Sequence, residues 1–230
     1  MDNKYIPALL KCELFNEIDQ NSIIALINCL KPAVQTYSKN DYIVQTGDKL
    51  NGLGIILKGE ASVFKDSLSG NRMLIKQIGA GEMFGEIAVF ANKNEWPAIV
   101  QAYSPLTVCY ITKERLIGRC SSNCQWHNSL IKNMLEIVSK RAMMLHKKLD
   151  YISIKTMRSK LCTYIFEQYL KSGTLTVKLP MNRSQLADYL NVSRPSMSRE
   201  MARMKDEGII DYYLSAVKIL DFDKLKKCCE

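Results

Sequence analysis

Residues 182–210, NRSQLADYLNVSRPSMSREMARMKDEGII, limit the folds open to this chain more than any other stretch, because their spacing admits two short helices joined by one tight turn. Asn182 and Gln185 stand three apart, the pattern in which each side chain satisfies a backbone N–H that a first helical turn leaves unpaired. Leu186, Ala187 and Leu190 then make an apolar stripe. Asn191 tolerates a left-handed backbone and ends the first helix, and Ser193 is placed to cap the second. There Met197, Met201 and Met204 recur at spacings of four and three, so they face inward and leave Arg194, Pro195, Ser198 and Arg199 outward. Pro195 costs little in a first turn, where its missing N–H has no intrahelical partner.

An arginine fork donates two parallel bonds to guanine O6 and N7, and a serine reaches a base or a phosphate. The expectation is a helix-turn-helix that reads duplex DNA through Arg194, Pro195, Ser196, Ser198 and Arg199, with Lys205 near phosphate. A two-helix corner with a solvated charged face is the plainer reading of the same residues. The net charge of +9, from 32 basic and 23 acidic side chains, favours a polyanionic partner.

A chain of 230 residues has room for one large or two modest cores, and its 47% hydrophobic and 24% charged content is that of a globular protein. No apolar run reaches membrane-spanning length, and the start MDNKYIPALL lacks the basic-then-apolar layout of a signal peptide, so a cytoplasmic protein without a membrane partner is expected. The eight cysteines form no C-x-x-C pair and read as structural thiols, with no metal site. The adjacent Cys228 and Cys229 end a lysine-bearing tail that reads as solvated.

Taken in order, residues 9–29 predict one or two short helices. Short β-rich runs follow at 42–45, 53–57, 61–65, 73–78, 99–102 and 107–111, with turns at 46–48, 58–60, 67–71 and 79–82, a spacing that implies a sandwich or jelly roll. Residues 125–153 predict one long helix. Ile131, Met134, Val138, Ala142, Leu145, Leu149 and Ile152 form a coiled-coil-like seam along it, and Leu130, Ile137 and Met144 form a second stripe. Two stripes suit a helix packed both on its own domain and on a partner; burial within one monomer is the other reading. A helix over 155–170 leads to the reading helices, and runs at 209–213 and 217–220 predict a hairpin wing. The fold class is α+β: an N-terminal double-stranded β-roll in residues 1–124, a dimerisation helix in 125–153 and a winged helix-turn-helix in 154–230.

Roll, long helix and winged helix-turn-helix in that order resemble the CRP/FNR family of bacterial transcription regulators over nearly the whole chain. LGIILKGEASVF (53–64) resembles the family's strand–glycine–strand unit, GAGEMFGEIAV (79–89) its glycine-rich phosphate-binding stretch, and VSRPSMSRE (192–200) its recognition helix. The resemblance implies a homodimer on near-palindromic double-stranded DNA, with RNA polymerase as a partner if the protein activates. It implies that Arg199 bonds a guanine. Arg194 matches the arginine of cyclic-AMP-dependent members and Ser198 the serine of oxygen-sensing ones. Pro195 stands where relatives carry a glutamate, so the half-site sequence does not carry over.

In nucleotide-binding relatives the glutamate at Glu86 takes a ribose hydroxyl, and an arginine ten residues on takes the phosphate. Here that position is Trp96, whose single N–H cannot replace a bidentate guanidinium. A cyclic nucleotide is therefore disfavoured, and Gly81, Gly85 and Glu86 read as turn and hydrogen-bonding residues. The expected effector site draws on Gly85, Glu86 and Trp96 and on the contact of the roll with Leu130, Ile137 and Met144. Haem, through His127 or His146, and an iron–sulfur cluster, through Cys109, Cys120 or Cys124, stay open as cofactors. The rival function is a cyclic-nucleotide-binding module acting on a protein partner, which needs the missing arginine and has no use for the wing. No nucleophile–base pair marks an enzyme, and no catalytic residue is assigned.

Overall fold

A computed structural model of the chain describes residues 2–66, 72–118 and 126–229. The expected turn at 67–71, and Cys120, Cys124 and Gln125, lie outside the described residues. The chain divides into two compact units, Met1–Lys140 and Arg141–Glu230, each with its own core. No helix among the described residues is long and apolar enough to cross a membrane.

The first unit opens with α1 (Ile6–Leu10) and α2 (Gln20–Leu30). Asp19 caps α2 by accepting from the Asn21 and Ser22 N–H groups, and Lys31 ends it in the left-handed region at φ 42°. Strands β1 (Ala33–Tyr37), β2 (Tyr42–Val44), β3 (Leu53–Lys58), β4 (Glu60–Asp66), β5 (Arg72–Gly79) and β6 (Met83–Phe84) follow, then α3 (Glu86–Phe90), β7 (Ile99–Ala102), β8 (Leu106–Ile111) and α4 (Lys113–Ile117). They form two four-stranded antiparallel sheets, β1-β8-β3-β6 and β2-β7-β4-β5.

Strand β3 explains why its sequence is apolar without alternation. Leu53, Ile55 and Leu57 point to the helices, while Ile56 points between the sheets, so both faces are buried. Between β3 and β4, Gly59 sits at φ +85°, and a Cβ there would lie 2.3 Å from the Pro105 carbonyl oxygen, which reserves this turn for glycine.

The long helix α5 (Trp126–Ser153) begins in this unit. His127, Leu130, Asn133, Met134 and Ile137 are buried on it, and Asn133 donates to the carbonyls of Leu14 and Asn16 at 2.9 and 2.8 Å. Two expectations need correction. Met134, expected on the outward seam, belongs to the core, because four residues beyond Leu130 is only about 40° round the helix. Met144, expected against the roll, is 71% exposed and falls in the second unit, beyond the roll's core.

In the second unit, α6 (Met157–Ser172) is capped by Thr156 and stopped by Gly173 in the left-handed region. After it come β9 (Thr176–Lys178), α7 (Arg183–Tyr189), α8 (Arg194–Asp206), β10 (Ile210–Tyr213), β11 (Ala216–Ile219) and α9 (Phe222–Lys227). The wing is a three-stranded antiparallel sheet, β10-β11-β9. The tail is not merely solvated. Asp221 caps α9, Leu225 is buried, and Cys228 and Cys229 pack on the core. Among the described residues no disulfide forms and no cluster of ligating side chains could hold a metal.

Candidate functional site

The reading helix is built as its sequence dictates. The capping box between Asn182 and Gln185 is present, with both bonds at 2.9–3.0 Å. Asn191 takes φ 54° at the turn, and Ser193 accepts from the Ser196 N–H to start α8. Met197, Met201 and Met204 are buried, which fixes the rotation of α8 and sends Arg194, Pro195, Ser198 and Arg199 to solvent. Ser196 is half-buried: its oxygen accepts from Ser193 Oγ at 2.8 Å and from Arg199 Nη2 at 3.3 Å. It orients Arg199 instead of facing outward.

Contacts between residues far apart in the sequence hold the reading helix and the elements beside it. Arg158 on α6 donates from Nε to Glu200 and from both terminal nitrogens to Glu207, the latter at 2.7 Å each. The Glu207 carboxylate beside it, then Glu200, push its guanidinium pKa up, and Arg158 in turn holds Glu207 below the ordinary glutamate value. Lys160, buried, donates to the Leu190 carbonyl at 3.2 Å, which gives the carbonyl at the C-terminal end of α7 a partner inside the core. Arg183 lies 4.8 Å from the Tyr212 ring centre, and burial lowers its pKa. Lys205, expected near phosphate, is paired with Asp211 of the wing at 2.6 Å and lies 5.5 Å from the same Tyr212 ring. Asp211 raises its pKa.

In the first unit, Gly85 is at φ +84° with Trp96 directly against it: a Cβ there would lie 2.3 Å from the indole ring. Trp96 is buried and stacks obliquely on Phe84, their ring centres 5.6 Å apart. The cavity left beside Gly85, Glu86 and Trp96 measures about 160 Å³.

Residues 34–123 match the model of the cyclic nucleotide-binding domain, and residues 159–228 match the Crp-like helix-turn-helix domain, together more than half of the chain. The chain belongs to the CRP/FNR family of transcription regulators. This CRP/FNR regulator is 22% identical over 174 residues to the probable transcriptional regulator flp of Lacticaseibacillus casei, covering 75% of this chain and 76% of that one. It is 17% identical over 181 residues to the cAMP-activated global transcriptional regulator CRP of Salmonella typhimurium, covering 77% and 84%. Its fold is that of the Thermus thermophilus catabolite activator protein, with a TM-score of 0.55 at 17% identity over 94% of this chain and 98% of that one.

Beside Gly85 the residues of this CRP/FNR regulator differ from those that the resemblance implies for a cyclic nucleotide. The indole fills the space against Gly85, no arginine stands at that point, and the remaining volume lies below the roughly 300 Å³ at which small-molecule sites begin. The residues expected to make one effector site are not brought together either. Gly85, Glu86 and Trp96 line the small cavity, whereas Leu130 and Ile137 are sealed in the helix-facing core and Met144 is exposed. His127 is buried with Nε2 3.2 Å from the Arg115 carbonyl, and His146 is exposed. Of the expected dimer seam, Ile131, Ala142, Leu145, Leu149 and Ile152 are exposed, Val138 is half-buried and Met134 is buried; Leu135, absent from the expected seam, is 64% exposed.

Proposed function

We propose that the protein is a homodimeric, sequence-specific regulator of transcription whose effector is not a cyclic nucleotide. The observation that carries this reading is the outward face of α8, where Arg194, Ser198 and Arg199 stand exposed on a helix whose rotation is fixed by three buried methionines. Bases are read there, Pro195 shapes the first turn, and Ser196 and Lys205 act by holding Arg199 and the wing. Residues 1–124 sense, 125–153 dimerise and 154–230 bind DNA, in the cytoplasm and, where the protein activates, beside RNA polymerase.

Pairing is supported by the apolar side chains left uncovered on α5: Ile131 and Leu135 in the first unit, Leu145, Leu149 and Ile152 in the second. A second copy is the occupant such a stripe fits, since a two-fold dimer sets two reading helices about 34 Å apart for successive major grooves of a near-palindromic site. Selection of bound duplexes from a random pool, followed by footprinting, tests the reading. The expected result is two inverted half-sites about one helical turn apart. Enrichment of no sequence, or of a single unrepeated half-site, overturns it.

A further inference from the structure

Trp96 also walls a second and larger cavity. It lies between β1 and β2, the edge strands of the two sheets, where no ladder closes the roll. Its volume is about 440 Å³, within the range that takes small molecules. Ile43, Val44 and Trp96 give it a buried apolar floor. Lys31, Lys49 and Arg115 contribute cations to its lining, against the single carboxylate of Asp48, whose Oδ2 already accepts from the Gln45 N–H at 2.7 Å.

The cations are not otherwise spent on carboxylates. Lys31 and Lys49 form no ion pair among the described residues. Arg115 donates to the carbonyls of Leu30 and Lys31 at 2.8 and 2.9 Å, which fixes its charge at the end of α2. The two tyrosine hydroxyls of the lining are already paired, Tyr37 donating to Gln35 at 2.6 Å and accepting from Tyr110 at 2.8 Å, so recognition of a ligand falls to the cations. A neutral apolar molecule would leave the cations unused, and a bare inorganic anion would leave the floor wet.

We propose that this cleft binds a small organic acid, its carboxylate at Lys31, Lys49 and Arg115 and its apolar body against Trp96. The assignment rests on the reading that the effector is not a cyclic nucleotide, and gives that effector a chemical class and a place. Trp96 is tied to the rim through its backbone, whose N–H donates to the Asp48 carbonyl at 2.9 Å and whose carbonyl accepts from the Gly47 N–H at 3.0 Å. The indole and the loop bearing Lys49 therefore move together when the cleft fills.

The chain has two tryptophans, so Trp126→Phe in the full chain leaves Trp96 as the sole indole emitter. Hexanoate, hexanamide and inorganic phosphate are titrated into that variant, with calorimetry on the wild-type chain as a check independent of the substitution. The expected result is a saturable change in Trp96 emission with hexanoate, at an affinity about tenfold or more above that for hexanamide, a preference that Lys31→Gln with Lys49→Gln abolishes. No saturable binding of hexanoate by either method overturns the proposal. So does equal binding of acid and amide, phosphate binding as tight as hexanoate, or a response that survives loss of both lysines. Operator binding is measured separately on the same protein, so a chain that binds DNA but ignores hexanoate loses the cleft and keeps the regulator.

Discussion

Arg158 grips Glu207 with both terminal guanidinium nitrogens, each 2.7 Å from a carboxylate oxygen, while its Nε holds Glu200. One side chain on α6 thus binds the middle and the end of the reading helix. Lysine is a point charge and cannot span both carboxylates, so Arg158→Lys should lower the thermal midpoint and weaken cognate binding without changing its salt dependence. The grip also has a pH window. Glu207 has its pKa depressed by Arg158, so the stability it lends is full above the ordinary glutamate value and is lost as pH falls through the depressed one. Thermal melts of wild type and Arg158→Lys should therefore converge on acidification; a gap that stays constant to the lowest pH tested speaks against the clamp.

Arg199 carries the base-reading assignment. Arg199→Ala should cost about 1–3 kcal/mol on the cognate duplex and relax preference at one base pair, because a bidentate guanine contact is lost. Anisotropy titrations on cognate and scrambled duplexes check this. Equal weakening on both would make Arg199 a phosphate contact.

Lys205 and Asp211 give a prediction opposite to the one their sequence suggests. With its ammonium 2.6 Å from Asp211, Lys205 has a partner before DNA arrives. Asp211→Asn should release it to phosphate and steepen the salt dependence of binding by about one unit, whereas Lys205→Gln should change that slope little. A loss of a full unit in Lys205→Gln would mean that Lys205 leaves Asp211 on the duplex.

The exposed stripe of α5 is tested by charge. Leu145→Asp with Leu149→Asp, both exposed, places carboxylates where a second helix is proposed to lie, and should yield folded monomers that fail to footprint. Sedimentation reads the result, and a wild-type chain that is monomeric at micromolar concentration with DNA and without it removes the dimer.

Cyclic AMP and cyclic GMP should bind no tighter than about millimolar, because a buried phosphate charge without a cation costs several kcal/mol. Calorimetry giving a micromolar constant would reverse this. Trp96→Arg empties the space against Gly85 and supplies the missing fork at once; measurable nucleotide affinity in that variant identifies Trp96 as the block, and none means that the pocket has diverged further.

The second unit was largely legible in the sequence because its signals are local. A capping box, a left-handed asparagine and three methionines lie within 29 consecutive residues and each constrains its neighbours. What escaped was non-local or weak. Arg158 meets its acids 42 and 49 residues away, a pairing no spacing encodes. Strand β1 shows no alternation because nearly all of it is exposed, and β6 is only two residues long. Helix α9 hid in a lysine-rich run whose one buried side chain, Leu225, gives no periodicity. The long helix is legible as a helix, and so are most residues of its two faces; Met134 and Met144 depart, because packing and not spacing decides which side chains are covered.

The hydrophobic cores of the two units share no residue. Heat should accordingly take the molecule apart in two heat-absorption peaks, one for each unit. A bound ligand raises only the peak of the unit that holds it, by an amount set by its concentration over its dissociation constant. Scanning calorimetry then works as an address finder: operator DNA should move one peak and an acid seated by Trp96 the other, and a compound of unknown target declares by the peak it shifts which end of the molecule it occupies.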